Sequence, residues 1–198
     1  MRIAIAILAG GQGSRIGGNK PLRVLAGETL LDRAVAQARQ WSDLVFISVR
    51  DQAQAGEAAG YCILDVPGIG GPLAGLAAAL GQAETLGCEA LLTIPADMPF
   101  LPADLHQRLV AELGEEQAAI ASSGGHLHPV CGLWRTTARS SLADYLASGR
   151  RSLKGFAQTV GFRAVEWPTI QPDHFFNINS TADLAAAERL VAARRSVP

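Results

Sequence analysis

The stretch that decides the fold is residues 3–20, which read IAIAILAGGQGSRIGGNK. Its first part, Ile3 to Leu8, is apolar and rich in isoleucine, which is typical of a strand buried on both faces of a parallel sheet. The loop that follows, 9–20, contains five glycines, a serine, an arginine and a lysine. Glycines let the backbone approach an anion and adopt positive φ, so successive N–H groups can point at a phosphate. The stretch therefore predicts a buried strand that ends in a phosphate-binding loop.

Two familiar phosphate loops do not fit this pattern. The Gly-x-Gly at 11–13 lacks the third glycine of the dinucleotide fingerprint, because Ile16 stands at its position. A Walker loop needs Gly-Lys-Ser/Thr at the start of a helix, whereas Lys20 is followed by Pro-Leu. Arg15 and Lys20 still suit a triphosphate, since a guanidinium bridges oxygens as a fork and an ammonium acts as a mobile point charge. The alternative is a flexible turn with solvated cations.

Composition limits the class of protein. The chain has 198 residues, 48% of them hydrophobic and 18% charged, which fits one domain with a full core. A net charge of −1 provides no general attraction for nucleic acid, and no apolar run reaches the roughly 20 residues that span a bilayer. The three widely spaced cysteines suggest neither a disulfide framework nor a zinc site. We expect a cytoplasmic protein without a cleaved leader that binds a small molecule, not nucleic acid or membrane.

Apolar strands and amphipathic helices alternate along the chain, which predicts an α/β fold with three layers: a mostly parallel sheet with helices on both faces. Right-handed crossovers would bring the ligand loops together at the carboxyl ends of the strands. After the first strand, the pattern predicts strands at 44–49, 62–64, 90–94, 118–122 and 163–167. It predicts helices at 30–41, with Thr29 as N-cap, and at 73–86, 102–113, 140–148, 153–160 and 183–195.

Asp97 follows the predicted strand 90–94 and lies between Pro95 and Pro99 in a rigid turn. The turn would present its carboxylate at the sheet edge where the glycine-rich loop also lies. A hard oxygen ligand at that place suits Mg²⁺. The alternative is that Asp97 only caps the helix that follows, since helix N-termini favour acidic side chains.

Three further segments carry small, polar or basic residues. Residues 71–75, GPLAG, put small residues at a helix start, either for a substrate near the backbone N–H groups or for tight packing. Asn177 and Asn179 alternate with Ile178, so both amides would project to one side of an extended segment, unless they only form a turn. The arginine pair 150–151 could hold a substrate phosphate, but it could equally be a solvated charge run.

Residues 8–20 resemble the glycine-rich signature of sugar-nucleotide and cofactor nucleotidyltransferases, most closely the molybdenum cofactor guanylyltransferases. The resemblance covers about residues 3–188, because four later segments resemble other motifs of that family in the same order: 71–75 (GPLAG), 95–100 (PADMPF), 128–129 (HP) and 177–180 (NINS). It implies a Rossmann-like nucleotidyltransferase fold. It also implies transfer of GMP from GTP to the terminal phosphate of molybdopterin, with Mg²⁺ as cofactor and release of pyrophosphate.

The resemblance implies roles for individual residues. Charge stabilisation at the transferred phosphate is expected of Arg15, Lys20 and Asp97, with Asp97 as the Mg²⁺ ligand. Nucleotide binding is expected of several loop residues: Leu8, Ala9, Gly10, Gly11, Gly13, Lys20, Ser48, Asp65 and Gly71. Acceptor binding is expected of His128, Arg150, Arg151, Asn177 and Asn179. Within a single domain, 1–198, about residues 1–110 would then hold the nucleotide and about 111–198 the acceptor.

The sequence departs from the family pattern at three positions. Ser48 stands where some members have an asparagine near guanine, so Arg50 or Asp51 are alternative contacts to the base. Asn19 replaces the aspartate that usually precedes the lysine, which removes a charge. Ala96 stands where cysteine is common, and its side chain need not touch the metal.

Two other functions stay open at this point. Cytidylyl transfer to molybdopterin, or transfer to another phosphorylated acceptor, would use the same loop because the loop alone does not select a base. A non-catalytic accessory module would bind a nucleotide or cofactor without releasing pyrophosphate. The expected partners are GTP and molybdopterin or Mo-molybdopterin, with transient contact to molybdenum-insertion proteins and recipient molybdoenzymes.

Overall fold

The computed structural model describes residues 1–10, 20–56, 58, 61–171 and 173–195, without the side chains of the last two. In these ranges a seven-stranded sheet has the order β5-β4-β1-β6-β8-β7-β9. Its strands are β1 (Ile3–Leu8), β4 (Val45–Val49), β5 (Tyr61–Leu64), β6 (Ala90–Pro95), β7 (Ala118–Ser123), β8 (His126–Arg135) and β9 (Phe162–Trp167). Only β8 runs antiparallel to its neighbours β6 and β7. The predicted mostly parallel α/β sheet is confirmed.

Six α-helices, three short 3-10 helices and one small hairpin complete the secondary structure of the described part of the chain. The hairpin pairs β2 (Val24–Leu25) with β3 (Glu28–Thr29). None of the helices in the described ranges combines the length and apolarity that a bilayer crossing requires. The helices are α1 (Leu30–Arg39), α2 (Pro72–Thr85), α3 (Leu105–Glu112), α4 (Leu142–Ala147), α5 (Leu153–Val160) and α6 (Thr181–Arg195).

Side chains alternate along β1, so the strand presents large apolar side chains to one face of the sheet and small ones to the other. Ile5 and Ile7 point into the core under α1 and α3, and both are fully buried. Ala4 and Ala6 point into the opposite core under α2, α4 and α5. Their small side chains let the alanine-rich helix α2 pack closely on the centre of the sheet. The alternation of large and small apolar residues along β1 thus accounts for the helix layer on each face of the sheet.

Local signals account for several helix ends. Thr29 Oγ1 accepts a hydrogen bond from the Asp32 backbone N–H at 3.0 Å, which confirms the predicted N-cap of α1. Helix α3 begins at Leu105 rather than at 102, because Leu105 N donates to Pro102 O and closes a separate turn first. The predicted helix 140–148 is also shorter, since Thr136–Ser141 form a 3-10 helix that precedes α4.

Strand β8 does not follow from a simple apolar pattern because Pro129 lies inside it. The pairing of β7 with β8 shifts at this point, where Ile120 lies opposite Gly132 but Ala121 lies opposite His128. A proline lacks the N–H that a regular ladder needs, so it is tolerated at such a bulge. Because of the bulge, the strand could not be predicted from its sequence pattern. Only its second half, from Gly132 to Arg135, pairs with β6.

Candidate active site

A pocket of about 220 Å³ lies at the carboxyl ends of β1, β4 and β6, and we call it the central pocket. The register of the sheet places Leu8 beside both Ser48 and Pro95, so three loops meet at one edge. Ligand sites of open α/β sheets form at such an edge. The walls include most of the described residues expected to bind nucleotide, together with other small, polar and charged ones: Leu8, Gly10, Ser48, Arg50, Asp65, Gly71, Pro72, Gly75, Pro95, Asp97, Val130 and Asn177.

The Lys20 side chain contacts three residues from distant parts of the chain, two of which line the central pocket. Its Nζ forms an ion pair with Asp97 and donates hydrogen bonds to Asn177 Oδ1 at 3.3 Å and Asn179 Oδ1 at 2.8 Å. An ammonium group has three N–H donors, so these three acceptors match its full capacity. Ile178 is completely buried between the two asparagines, which confirms the predicted alternation of side chains. We call residues 173–180 the asparagine segment.

Within the described residues, the two carboxylate oxygens of Asp97 have different surroundings. Oδ2 faces Lys20, whereas Oδ1 accepts no hydrogen bond from the part of the chain that the structure describes. Asp97 does not cap α3, whose N-cap position is held by Asp104. A buried carboxylate oxygen without a partner is unfavourable, and a divalent cation would satisfy it.

The surroundings of Asp97 fit a cation that shares its ligands with substrate. No group of three or more His, Cys, Asp or Glu side chains forms a metal cage in the described ranges. Mg²⁺ is commonly held by one or two carboxylates plus substrate phosphates and water, not by an all-protein cage. Asp97 lines the central pocket, where phosphates could complete such a shell.

Asp65 is clamped in the wall of the central pocket by its close neighbours. Ser48 is fully buried, and its hydroxyl donates to Asp65 Oδ1 at 2.6 Å. A Cβ at Gly75 would lie 2.6 Å from Ser48 Oγ and 3.2 Å from Asp65 Oδ1. A Cβ at Gly10 would collide with Asp65 Oδ2. Two glycines from different elements thus leave just enough room for one carboxylate.

Gly71 and Pro72 form the start of α2 beside the pocket. Gly71 has a φ of 67°, which favours glycine, and Pro72 occupies the first turn of the helix. Both residues line the central pocket, so the first turn of α2 borders it. The positive end of the helix dipole favours anions at this place.

His128 does not line the central pocket. Its ring stacks on Phe175 with centroids 4.2 Å apart and planes 7° apart. Its Nε2 shares a hydrogen bond of 2.8 Å with Ser123 Oγ. Burial lowers the pKa of His128, while the nearby carboxylate of Asp173 opposes this shift. The lowered pKa favours the neutral form of this imidazole, which is stacked on a residue of the asparagine segment.

Arg150 and Arg151 lie on the connection between α4 and α5 and do not line the central pocket. The Arg150 guanidinium stacks over the Tyr145 ring at 4.6 Å. Arg151 Nη1 donates to Leu146 O at 2.7 Å. Both side chains therefore have local partners that support this connection. Their binding of an acceptor phosphate stays a prediction.

Three of the expected nucleotide-site residues, Gly11, Gly13 and Arg15, lie outside the described residues. Ala9 is described and is buried. Its backbone N–H donates to Ser48 O at 2.8 Å, and it borders a small crevice with Lys20 and Asp97. The base of the glycine-rich loop is thereby fixed to β4.

Gly75 and Val130 were not among the expected site residues, although both line the central pocket. Gly75 has a signal in the sequence. A glycine inside an alanine-rich helix costs about 1 kcal/mol relative to alanine, so its presence indicates a close approach. Val130 has no such signal, because only the bulge in β8 brings it to the pocket.

Comparisons with known proteins agree on one family. Residues 5–160 match the model of the MobA-like NTP transferase domain. A molybdenum cofactor guanylyltransferase from Bradyrhizobium sp. (strain ORS 278) is 42% identical in an alignment of 195 positions that covers 94% of this chain and 92% of that protein. The chain belongs to the molybdenum cofactor guanylyltransferase family. The resemblance carried by the five sequence motifs is confirmed.

Solved structures share the fold of this guanylyltransferase family. Molybdopterin-guanine dinucleotide biosynthesis protein A from Archaeoglobus fulgidus has a TM-score of 0.75 at 24% identity, covering 96% of this chain and 99% of that chain. A Mycobacterium tuberculosis H37Rv protein solved as a complex with manganese has a TM-score of 0.71 at 15% identity, covering 96% of this chain and 99% of that chain. At these identities the likeness demonstrates the fold alone.

Proposed function

We propose that this protein transfers GMP from GTP to the terminal phosphate of molybdopterin and releases pyrophosphate. The observation that carries the proposal is the contact of Lys20 with both Asp97 and Asn177, two residues that line the central pocket at the sheet edge. Family membership supports it, because the curated relative is named as a molybdenum cofactor guanylyltransferase. The acceptor is molybdopterin or Mo-molybdopterin, and recipient molybdoenzymes and molybdenum-insertion proteins are the transient protein partners.

The reaction joins two anions, so catalysis depends on positioning and on charge neutralisation. An acceptor phosphate oxygen attacks the α-phosphorus, and the bond to pyrophosphate breaks. No protein nucleophile is required. Lys20 and Arg15 neutralise the phosphates, while the loop amides of Gly10, Gly11 and Gly13 donate to them.

We assign Mg²⁺ to Asp97, because its buried Oδ1 accepts no hydrogen bond from the described residues, which supports a cation there. The ion would neutralise charge on the phosphates when it is bound. Asn177 and Asn179 present their amide oxygens to Lys20, so their NH₂ groups point elsewhere. Amide NH₂ groups are hydrogen-bond donors, which suits an acceptor phosphate.

We assign recognition of the base to the clamped carboxylate of Asp65, supported by Ser48. Guanine presents two adjacent donors, N1–H and the N2 amino group, which match two acceptor oxygens. Cytosine presents one donor beside an acceptor, so a carboxylate pairs less well with it. This asymmetry favours GTP over CTP. We assign the remaining contacts of the described residues with the nucleotide to Leu8, Ala9 and Gly71.

The test is pyrophosphate release from the full chain with Mg²⁺ and each of the four ribonucleoside triphosphates. Each triphosphate is supplied with and without molybdenum-loaded molybdopterin. We expect release with GTP only when the acceptor is present. Release with CTP instead would retain the mechanism and change the product, and no release with any triphosphate would contradict the proposal.

A further inference from the structure

The asparagine segment has no regular backbone hydrogen-bond pattern of its own. It lies outside helices and strands, so anchors at its two ends have to define its path. At the far end, the Asp183 carboxylate accepts hydrogen bonds from Asn179 N at 2.9 Å and Ser180 N at 2.8 Å. In the middle, Ile178 N donates to Asp97 O at 3.0 Å. These contacts hold the segment next to Lys20, and its near end needs an anchor too.

Phe175 is an anchor of the near end, beside the contact of the His174 ring with Phe100 O at 3.2 Å, and the His128 ring lies flat on Phe175. Phe175 is 4% exposed, and its other close ring neighbour, Trp167, meets it edge-on at 5.9 Å. Stacked aromatic rings attract each other beyond the effect of the area they bury and prefer a defined geometry, and these two rings lie 4.2 Å apart and nearly parallel. The imidazole is itself oriented by Ser123 Oγ at 2.8 Å. Because His128 belongs to β8, the stack fixes Phe175 relative to this strand.

We propose that His128 is a positioning residue, whose stacked ring holds Phe175 so that Asn177 and Asn179 engage Lys20. This inference rests on the proposed function, because it gives Lys20 the central role at the phosphates. It assigns His128 a role different from direct contact with the acceptor. The imidazole lies outside the central pocket, whereas Asn177 lines it only two residues beyond the stacked Phe175.

Two variants distinguish the stacking of the His128 ring on Phe175 from contacts made by its imidazole nitrogens. His128→Ala removes the ring and leaves Phe175 without its flat neighbour. His128→Phe combined with Ser123→Ala keeps an aromatic ring and removes both partners of the hydrogen bond together, which avoids an unpaired buried hydroxyl. A residue that binds the acceptor through its imidazole would lose that contact in both variants.

The first readout needs no turnover. The chain has two lysines, Lys20 and Lys154, and Lys154 is exposed on α5. Acetylation by an N-hydroxysuccinimide ester, followed by mass spectrometry, gives the rate at Lys20 relative to the internal reference Lys154. We expect slow reaction at Lys20 in the unmodified protein, a several-fold faster relative rate in His128→Ala, and a return toward the slow rate in the double variant.

The second readout is steady-state kinetics with GTP and molybdopterin. We expect His128→Ala to lower kcat about 10-fold, the scale of a small misplacement of a catalytic group, and the double variant to restore most of it. An unchanged relative rate at Lys20 in His128→Ala would overturn the proposal even if the enzyme is inactive with these substrates. An equal rise in the acceptor KM of both variants would also overturn it, in favour of direct acceptor binding.

Discussion

Lys20 and Asp97 form the ion pair at the centre of the proposed mechanism. In that mechanism each neutralises or binds charge that appears when the α-phosphorus is attacked, and losing one such group costs roughly 10²-fold or more in turnover. We therefore expect Lys20→Ala and Asp97→Ala each to lower kcat by at least about 10²-fold. Steady-state pyrophosphate release measures this effect.

The chain offers a matched control for the lysine. Lys154 is exposed on α5, outside the central pocket, so Lys154→Ala should retain the kcat of the unmodified protein. Thermal unfolding checks that each variant is folded. Turnover near that of the unmodified protein in either site variant would contradict the assignment.

His128 should also affect stability as a function of pH. Burial lowers its pKa below the usual 6.5, because the charged imidazolium is poorly solvated there, while Asp173 and Glu166 oppose this shift and His126 adds to it. The unfolded chain then binds a proton more readily than the folded one, so the stabilisation is present above about pH 6.5 and is lost as pH falls through the lower folded pKa.

The measurement is the free energy of unfolding by urea at pH 7.5 and pH 5.5. We expect the decrease between these values to be smaller in the variant that combines His128→Phe with Ser123→Ala, because its ring cannot be protonated. Other groups, among them His106 with a pKa also lowered by burial, contribute equally to both proteins. An identical decrease in the two proteins would exclude the contribution of His128.

Helix α2 contains two glycines that allow a controlled comparison at the scale of an element. A Cβ at Gly75 would collide with Ser48 Oγ and press on Asp65, whereas a Cβ at Gly81 would make only an ordinary contact with Arg139 at 3.5 Å. Both substitutions by alanine gain up to about 1 kcal/mol of helix propensity. Only Gly75→Ala disturbs the clamped carboxylate.

We expect Gly75→Ala to raise the KM for GTP about 10-fold or more, which corresponds to about 1.4 kcal/mol of lost binding. Gly81→Ala should retain that KM and raise the melting temperature. Titration of GTP in the turnover assay gives the KM, and thermal unfolding gives the melting temperature. A KM for Gly75→Ala equal to that of Gly81→Ala would contradict the proposed role of Asp65 in binding the base.

The elements differ in how far they could be predicted from the sequence. Strand β1 and the cap of α1 follow from local chemistry, namely an apolar run and a threonine hydroxyl. Strand β8 does not, because the pairing at its bulge depends on β7. At the site, the glycine-rich loop and Asp97 are apparent from local motifs. The hydrogen bond between Lys20 and Asn177 joins residues 157 positions apart. A contact between residues so far apart depends on the whole fold, so no local sequence pattern predicts it.

At the scale of the whole molecule, the sheet has no break between the parts expected to bind nucleotide and acceptor. Strand β6 belongs to the first part and pairs with β8 of the second, whose Trp134 lies opposite Leu91. A continuous sheet with a core on each face is expected to unfold as one cooperative unit. The single domain 1–198 remains a prediction that this behaviour tests.

Urea unfolding followed by two probes tests that prediction. Trp134 and Trp167 are buried in opposite cores, so tryptophan fluorescence reports on both faces of the sheet. Far-ultraviolet circular dichroism reports on the helices of both parts. We expect coincident midpoints, and two separated transitions would indicate two domains.

The ammonium of Lys20 pairs with Oδ2 of the same carboxylate whose Oδ1 we assign to a metal ion. A bare divalent cation at Oδ1 would therefore lie close to a bound positive charge and would gain one acidic ligand in return. A nucleotide that arrives already chelating its metal brings negative charge that offsets this repulsion. We therefore expect the site to bind the metal–nucleotide chelate more tightly than the free ion.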